Sequence, residues 1–160
     1  MIVEYLADHR EFLPEIAELV FAEWKDLCAI NGVDLDKVKA ILTQRAVKHG
    51  IPLTLIVLEN NQFVATGSIK VSEPATKKAV SPWLDMMYVK KTSRGSGIGQ
   101  LLLKALEKKA WELGIKTLYL STDEAEGFYA KYGWTVIEYQ KAVDGKTVAF
   151  MTKNLSESGA

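Results

Sequence analysis

The sequence has 160 residues but only one cysteine, Cys28, and only two histidines, His9 and His49, which stand far apart. One thiol cannot close an internal disulfide, and no Cys/His group has zinc-ligand spacing, so a disulfide framework is excluded and no metal is expected. This pattern fits a reducing cytoplasm. Long apolar runs are missing as well, the longest lying near residues 51–58, far below the roughly 20 residues that span a bilayer. The opening MIVEYLADHR places Glu4 and Asp8 where a secretory signal needs a basic start and an apolar run. The chain reads as cytoplasmic, with no membrane partner. Excess charge of one sign is also absent, since 20 Lys and Arg balance 20 Asp and Glu. Without a basic bias, no nucleic-acid partner is expected. Repeats, low-complexity blocks and linker-like stretches are lacking too, which leaves a single domain over residues 1–155 and a flexible tail over 156–160.

What the sequence does contain is 48% apolar residues, enough at this length for one real core. A short strand is expected over residues 1–6. Between 11 and 30, Leu13, Ile16, Leu19, Val20, Trp24 and Leu27 recur at helical spacing, with Glu11, Glu15, Glu18, Glu23 and Asp26 forming an acidic outer surface. A second helix is predicted over 34–49, stopped by Gly50 and Pro52. PLTLIVL and QFVATGSIKV read as antiparallel strands joined by Asn60-Asn61, residues that tolerate the positive φ of a tight hairpin. A strand over 83–89, a helix over 99–113, a buried strand over 115–120, a short helix over 124–132 and a hairpin of 134–140 with 147–152 complete the pattern. Early helices, an antiparallel meander and one strand-helix-strand crossover give an α/β (α+β) fold with a mixed sheet.

The most informative stretch is VKKTSRGSGIGQLLLKAL, where a strand ends and a Gly-rich loop leads straight into a helix. Glycines allow close backbone approach, and the free amides of a helix N-terminus attract anions, so a diphosphate is the natural guest. The P-loop pattern fails because Lys-Ser/Thr is missing, and the dinucleotide fingerprint fails because no acidic residue follows at the next strand end. A Gly-rich connection without a ligand is the plain alternative.

With Arg94, Gly97 and Gly99 as R-x-x-G-x-G between a strand and a helix, the sequence resembles the GNAT superfamily of N-acetyltransferases, whose pyrophosphate loop has the pattern Q/R-x-x-G-x-G/A. TDEAEGFYAKYGW is similar to the family's second signature, through Ala125, Phe128, Tyr129, Gly133 and Trp134. The two motifs in the right order are far more specific than either separately. The resemblance implies a mostly antiparallel central sheet with helices on both faces and a strand-loop-helix site for acetyl-CoA. It implies cofactor contacts from Met87, Tyr88 and Val89 on the strand, and from Arg94, Gly95, Ser96, Gly97, Ile98, Gly99 and Gln100 in the loop. Lys90, Lys91 or Lys104 could approach the phosphates. Thr122 stands where many relatives carry an Asn that touches the cofactor.

Tyr129 falls at the position of the family's general acid, where a phenol near pKa 10 can donate to a departing thiolate of pKa about 8 to 9. For a general base the residues offer Asp85, Glu73 and Asp123 through a water, with Asp85 first because it interrupts the apolar strand WLDMMYV; a structural acid on a strand edge is its plain alternative. The resemblance therefore implies an acetyl-CoA-dependent N-acetyltransferase acting on a primary amine of a small molecule or peptide, as monomer or homodimer. A catalytically silent acyl-CoA-binding module of the same fold is the alternative.

Overall fold

The computed structural model describes residues 1–71 and 82–157; Glu73 and the last three residues of the expected tail lie outside them. Seven strands form one sheet: β1 (Ile2–Tyr5), β2 (Leu53–Glu59), β3 (Gln62–Lys70), β4 (Trp83–Val89), β5 (Thr117–Thr122), β6 (Thr135–Lys141) and β7 (Thr147–Asn154), in the order β1-β2-β3-β4-β5-β7-β6. Neighbours are antiparallel except β4 and β5, which run parallel and pair only where Trp83 meets Tyr119. Beyond that point the two strands part. The opening at their C-terminal ends is what positions the site.

Helices cover both faces. On one side α1 (Leu13–Glu23), α2 (Lys25–Ile30) and α3 (Leu35–Gln44) enclose a core of Leu6, Ile16, Val20, Leu42, Ile56 and Phe63. On the other, α4 (Ile98–Glu112) presses Leu102, Leu103, Leu106 and Ala110 onto the inner sheet, with Trp134 and Met151 closing that core and α5 (Glu126–Lys131) at its end. Each fully buried leucine contributes roughly 1.5–3 kcal/mol relative to exposure. The β2–β3 turn has Asn60 and Asn61 at φ 52° and 61°, the left-handed pair the hairpin needs.

Two expected helices differ from the fold. The helix anticipated over 11–30 breaks at Trp24, whose φ and ψ of −110° and 34° leave the helical region. Apolar spacing continues through the break, but α2 has no fully buried side chain, so no packing compels it to follow the axis of α1. The helix anticipated to reach residue 49 ends at Gln44. Arg45 carbonyl accepts a hydrogen bond from the Thr54 amide at 2.9 Å, which turns the chain early into β2.

Candidate functional site

The loop after β4 carries two glycines in the left-handed region, Gly95 at φ 81° and Gly97 at φ 84°, where a Cβ is strained. Gly97 is the N-cap of α4, and no side chain caps that helix. Its first amides therefore project unshielded, with the positive end of the helix dipole behind them. A Cβ placed on Gly97 would meet nothing within 4 Å, so the space in front is open. Gly99 has a different reason: a Cβ there would stand 3.3 Å from Phe128 Cζ, so its bareness lets α5 lie against the start of α4. That contact joins the two sequence motifs in space.

The loop is braced from within. Ser96 Oγ donates to the Ser93 carbonyl at 2.7 Å, and Arg94 Nε donates to the Val89 carbonyl at 2.9 Å. The Arg94 guanidinium lies over the Tyr88 ring, 5.6 Å from its centroid, and reaches to 4.0 Å from the Glu23 carboxylate of α1. Ile98 is buried in the core, which leaves only its amide to face the loop.

A cleft of about 600 Å³ opens between β4, this loop and α5. It is lined by Met87, Tyr88 and Val89 of the strand, by Arg94, Gly95, Gly97, Gly99 and Gln100 of the loop, and by Phe128, Tyr129 and Tyr132 of α5. Tyr129 is 7% exposed, with its ring edge-on to Phe128 and Trp134 at centroid distances of 5.1 and 5.9 Å. Burial pushes its phenol up to about 12. The hydroxyl thus keeps its proton throughout the neutral range and is a donor, not a base. Glu23 and Lys131 also line the cleft. Neither was anticipated; Glu23 reads in sequence as one more acid on a solvated face.

Several expected residues stand elsewhere. Thr122 is absent from the cleft lining; its Oγ1 accepts from the Ala125 amide at 3.0 Å, forming the turn into α5. Lys90 Nζ is 2.6 Å from Glu15 and lies over the Phe63 ring, on the α1 side of the sheet. Asp123 pairs with Lys146 at 3.6 Å. Asp85 lies on the α3 side, where its Oδ2 accepts from Arg45 Nη1 at 2.8 Å and stands 3.6 Å from Lys70 Nζ. Burial alone would raise its carboxyl, but Lys70, Arg45 and the Met86 amide together hold it below the usual carboxylate value. At neutral pH it is an anion with little appetite for a proton.

Comparison with known proteins agrees with this geometry. The Acetyltransferase (GNAT) domain family matches residues 30–155, and the chain belongs to that family; it is a GNAT-type acyltransferase. The Bacillus subtilis (strain 168) protein YyaT, itself uncharacterized, is 28% identical over 105 residues, covering 65% of this chain and 67% of that protein. Among solved structures, aminoglycoside 6'-acetyltransferase type Ii superposes with a TM-score of 0.75 at 18% identity, over 96% of this chain and 97% of that one. The ribosomal-protein-alanine N-acetyltransferase of Brucella melitensis superposes with a TM-score of 0.72 at 24% identity, over 97% and 100%. At these identities the superpositions establish a shared fold. Among the described residues, no helix is long and apolar enough to cross a membrane, and no three His, Cys, Asp or Glu side chains gather as a metal site.

Proposed function

We propose that the protein transfers an acetyl group from acetyl-CoA to a primary amine of a small molecule or a peptide, by direct attack within a ternary complex. The observation that carries this reading is the continuity of the cleft, from the uncapped N-terminus of α4, along β4, to the buried Tyr129 phenol. Its residues fit the group: open space faces Gly97, unshielded amides suit a diphosphate, and a strand edge opened by the parting of β4 and β5 suits a pantetheine arm. In this reading the backbone from Arg94 to Gln100 holds the diphosphate. Met87, Tyr88 and Val89 hold the arm through main-chain hydrogen bonds. Acetyl-CoA, when bound, supplies an acetyl group activated as a thioester.

Tyr129 Oη keeps its proton in a site closed off by Phe128 and Trp134 and offers it as a hydrogen bond to the leaving sulfur. Because the phenol is pushed to about 12, several units above a thiol near 8.5, it acts as a hydrogen-bond donor and is not itself fully deprotonated. The acceptor amine arrives free of its proton or loses it to water. An aminoglycoside acetyltransferase and a ribosomal-protein-alanine N-acetyltransferase share the fold, so both small-molecule and protein amines belong in the test. The measurement is release of free CoA thiol from acetyl-CoA by the wild-type protein over a panel of polyamines, aminoglycosides and peptide N-termini. Amine-dependent release is expected for at least one class. Tight acetyl-CoA binding with no release over the whole panel would instead define an acyl-CoA-binding module.

A further inference from the structure

We propose that Asp85 and Arg45 are positioning residues that lock a bulge in β4 and thereby set the strand segment Met87, Tyr88 and Val89 against the cleft. The proposal rests on the acetyltransferase reading above and assigns the half-buried acid of β4 a part in it other than proton transfer.

The β3–β4 ladder pairs Thr66 with Tyr88 and then Ser68 with Asp85. Two residues of β4, Met86 and Met87, therefore oppose Gly67 alone, which is the count of a bulge. Met86 has φ 53°, a left-handed conformation that costs an L-residue roughly 1–2 kcal/mol. Such a residue persists only where its surroundings over-determine it. Here they do so from both faces. A Cβ on Gly67 would lie 2.5 Å from Met87 Sδ and 2.7 Å from Leu106 Cδ1, so the bare glycine is what admits the Met87 side chain on the α4 side. On the α3 side, the carboxylate of Asp85, the residue directly before Met86, is gripped by Arg45 and Lys70.

Arg45 is itself anchored at the C-cap of α3, with its carbonyl held by the Thr54 amide. Below it a polar row crosses three strands in register. Thr54 of β2 opposes Ser68 of β3, their hydroxyls 2.7 Å apart, and Ser68 opposes Asp85 of β4. Thr54 and Ser68 are fully buried. Such a row costs desolvation where it is buried, and it is tolerated because every member is bonded. It ends at the bulge. The residues of β4 that line the cleft, Met87, Tyr88 and Val89, begin with the second residue of the bulge. The path from the helix end through Arg45 to Asp85, the residue that enters the bulge, thus fixes where the strand's backbone faces the cleft. A base would need a free lone pair, whereas this carboxylate is committed to two cations.

The experiment compares Asp85→Asn, Arg45→Met, the double variant and Arg45→Lys with the wild type. Steady-state thiol release is followed from pH 6 to 9.5, alongside ¹³C-methyl NMR of the methionines. Misplacement of reacting groups by an ångström costs up to about 100-fold, so each single change should lower kcat by about tenfold or more while the shape of the pH profile is kept. The double variant should be no worse than the poorer single one, and Arg45→Lys should recover most of the rate, because the contact is a single hydrogen bond. The Met86 and Met87 methyl signals should move together in Asp85→Asn and Arg45→Met. A pH profile flattened by Asp85→Asn, or an Arg45→Met enzyme with unchanged kcat and unmoved methyl signals, would overturn the proposal. If the wild type releases no thiol with any amine, the acetyltransferase reading fails on its own. The methyl signals then still decide whether Arg45 and Asp85 hold the bulge.

Discussion

At the scale of single residues, the proposed chemistry turns on Tyr129. Its phenol stands at about 12 because burial disfavours the phenolate, so the protonated form persists to far higher pH than for an exposed tyrosine. For Tyr129→Phe, acetyl-CoA affinity measured by calorimetry should be preserved and amine-dependent thiol release should fall about 100-fold, at the lower end of general-acid contributions. The wild-type rate should show no decline assignable to this group between pH 7 and 10. An equal loss of affinity and rate in the variant would mean that the phenol binds rather than donates. The stability linkage has the same origin. The folded pKa lies above the unfolded value of about 10, so the stability it protects is intact below pH 10 and is lost as pH rises from 10 to 12. Local motifs made this residue, and the loop from Arg94 to Gln100, readable in the sequence, since both depend on short spacing. The partners of Asp85 were not readable: Arg45 lies 40 positions away and joins it only because α3 ends at Gln44 and leaves Arg45 as its C-cap, within reach of β4.

At the scale of elements, a buried ion pair ties the end of α5 to α4 and β7 beside the cleft. Glu107 of α4 and Lys153 of β7 form a salt bridge with exposures of only 2% and 7%. Lys153 Nζ also donates to the Tyr132 carbonyl at 2.8 Å, at the end of α5, passing beneath Gly133. Glu107 Oε2 has no hydrogen-bond partner, and burial raises its carboxyl despite Lys153. Removing one partner from a buried pair costs about 3–5 kcal/mol. The raised carboxyl can escape part of that cost by taking a proton, so Lys153→Met should destabilise by about 3 kcal/mol in urea unfolding. Glu107→Gln combined with it should recover part of the loss. A Lys153→Met protein that unfolds at the wild-type midpoint would show the pair to be dispensable. This tether had no sequence signal, because Glu107 reads as a surface acid at the edge of an apolar helical stripe. The β2–β3 hairpin, by contrast, was plain from Asn60-Asn61, whose turn chemistry is local. The break at Trp24 had no sequence signal, because helical spacing continues across it; α2 brings only the half-buried Cys28 to the core and need not keep the axis of α1.

At the scale of the whole molecule, the zero net charge divides unevenly along the chain. Acids dominate the first 60 residues, which form α1 to α3, and basic residues the next 60, which contain the loop and α4. The cleft also lies where elements from both sequence motifs meet: β4 and the loop on one wall, α5 on the other, with Gly99 against Phe128. A ligand that spans both walls favours the folded state over the unfolded chain, by about 2.7 kcal/mol at a concentration 100 times its Kd. For a chain of this size each kcal/mol is worth about 2–4 °C. CoA at that excess should therefore raise Tm by about 5–11 °C. Gly97→Glu places bulk and negative charge into the open space before α4 and should abolish this shift. Its own stability should fall only by the roughly 1–2 kcal/mol that a left-handed L-residue costs, about 2–8 °C in Tm, because a Cβ there touches nothing. A variant that melts like the wild type in the presence of CoA would place the diphosphate away from α4, and the reading of the loop would fall with it.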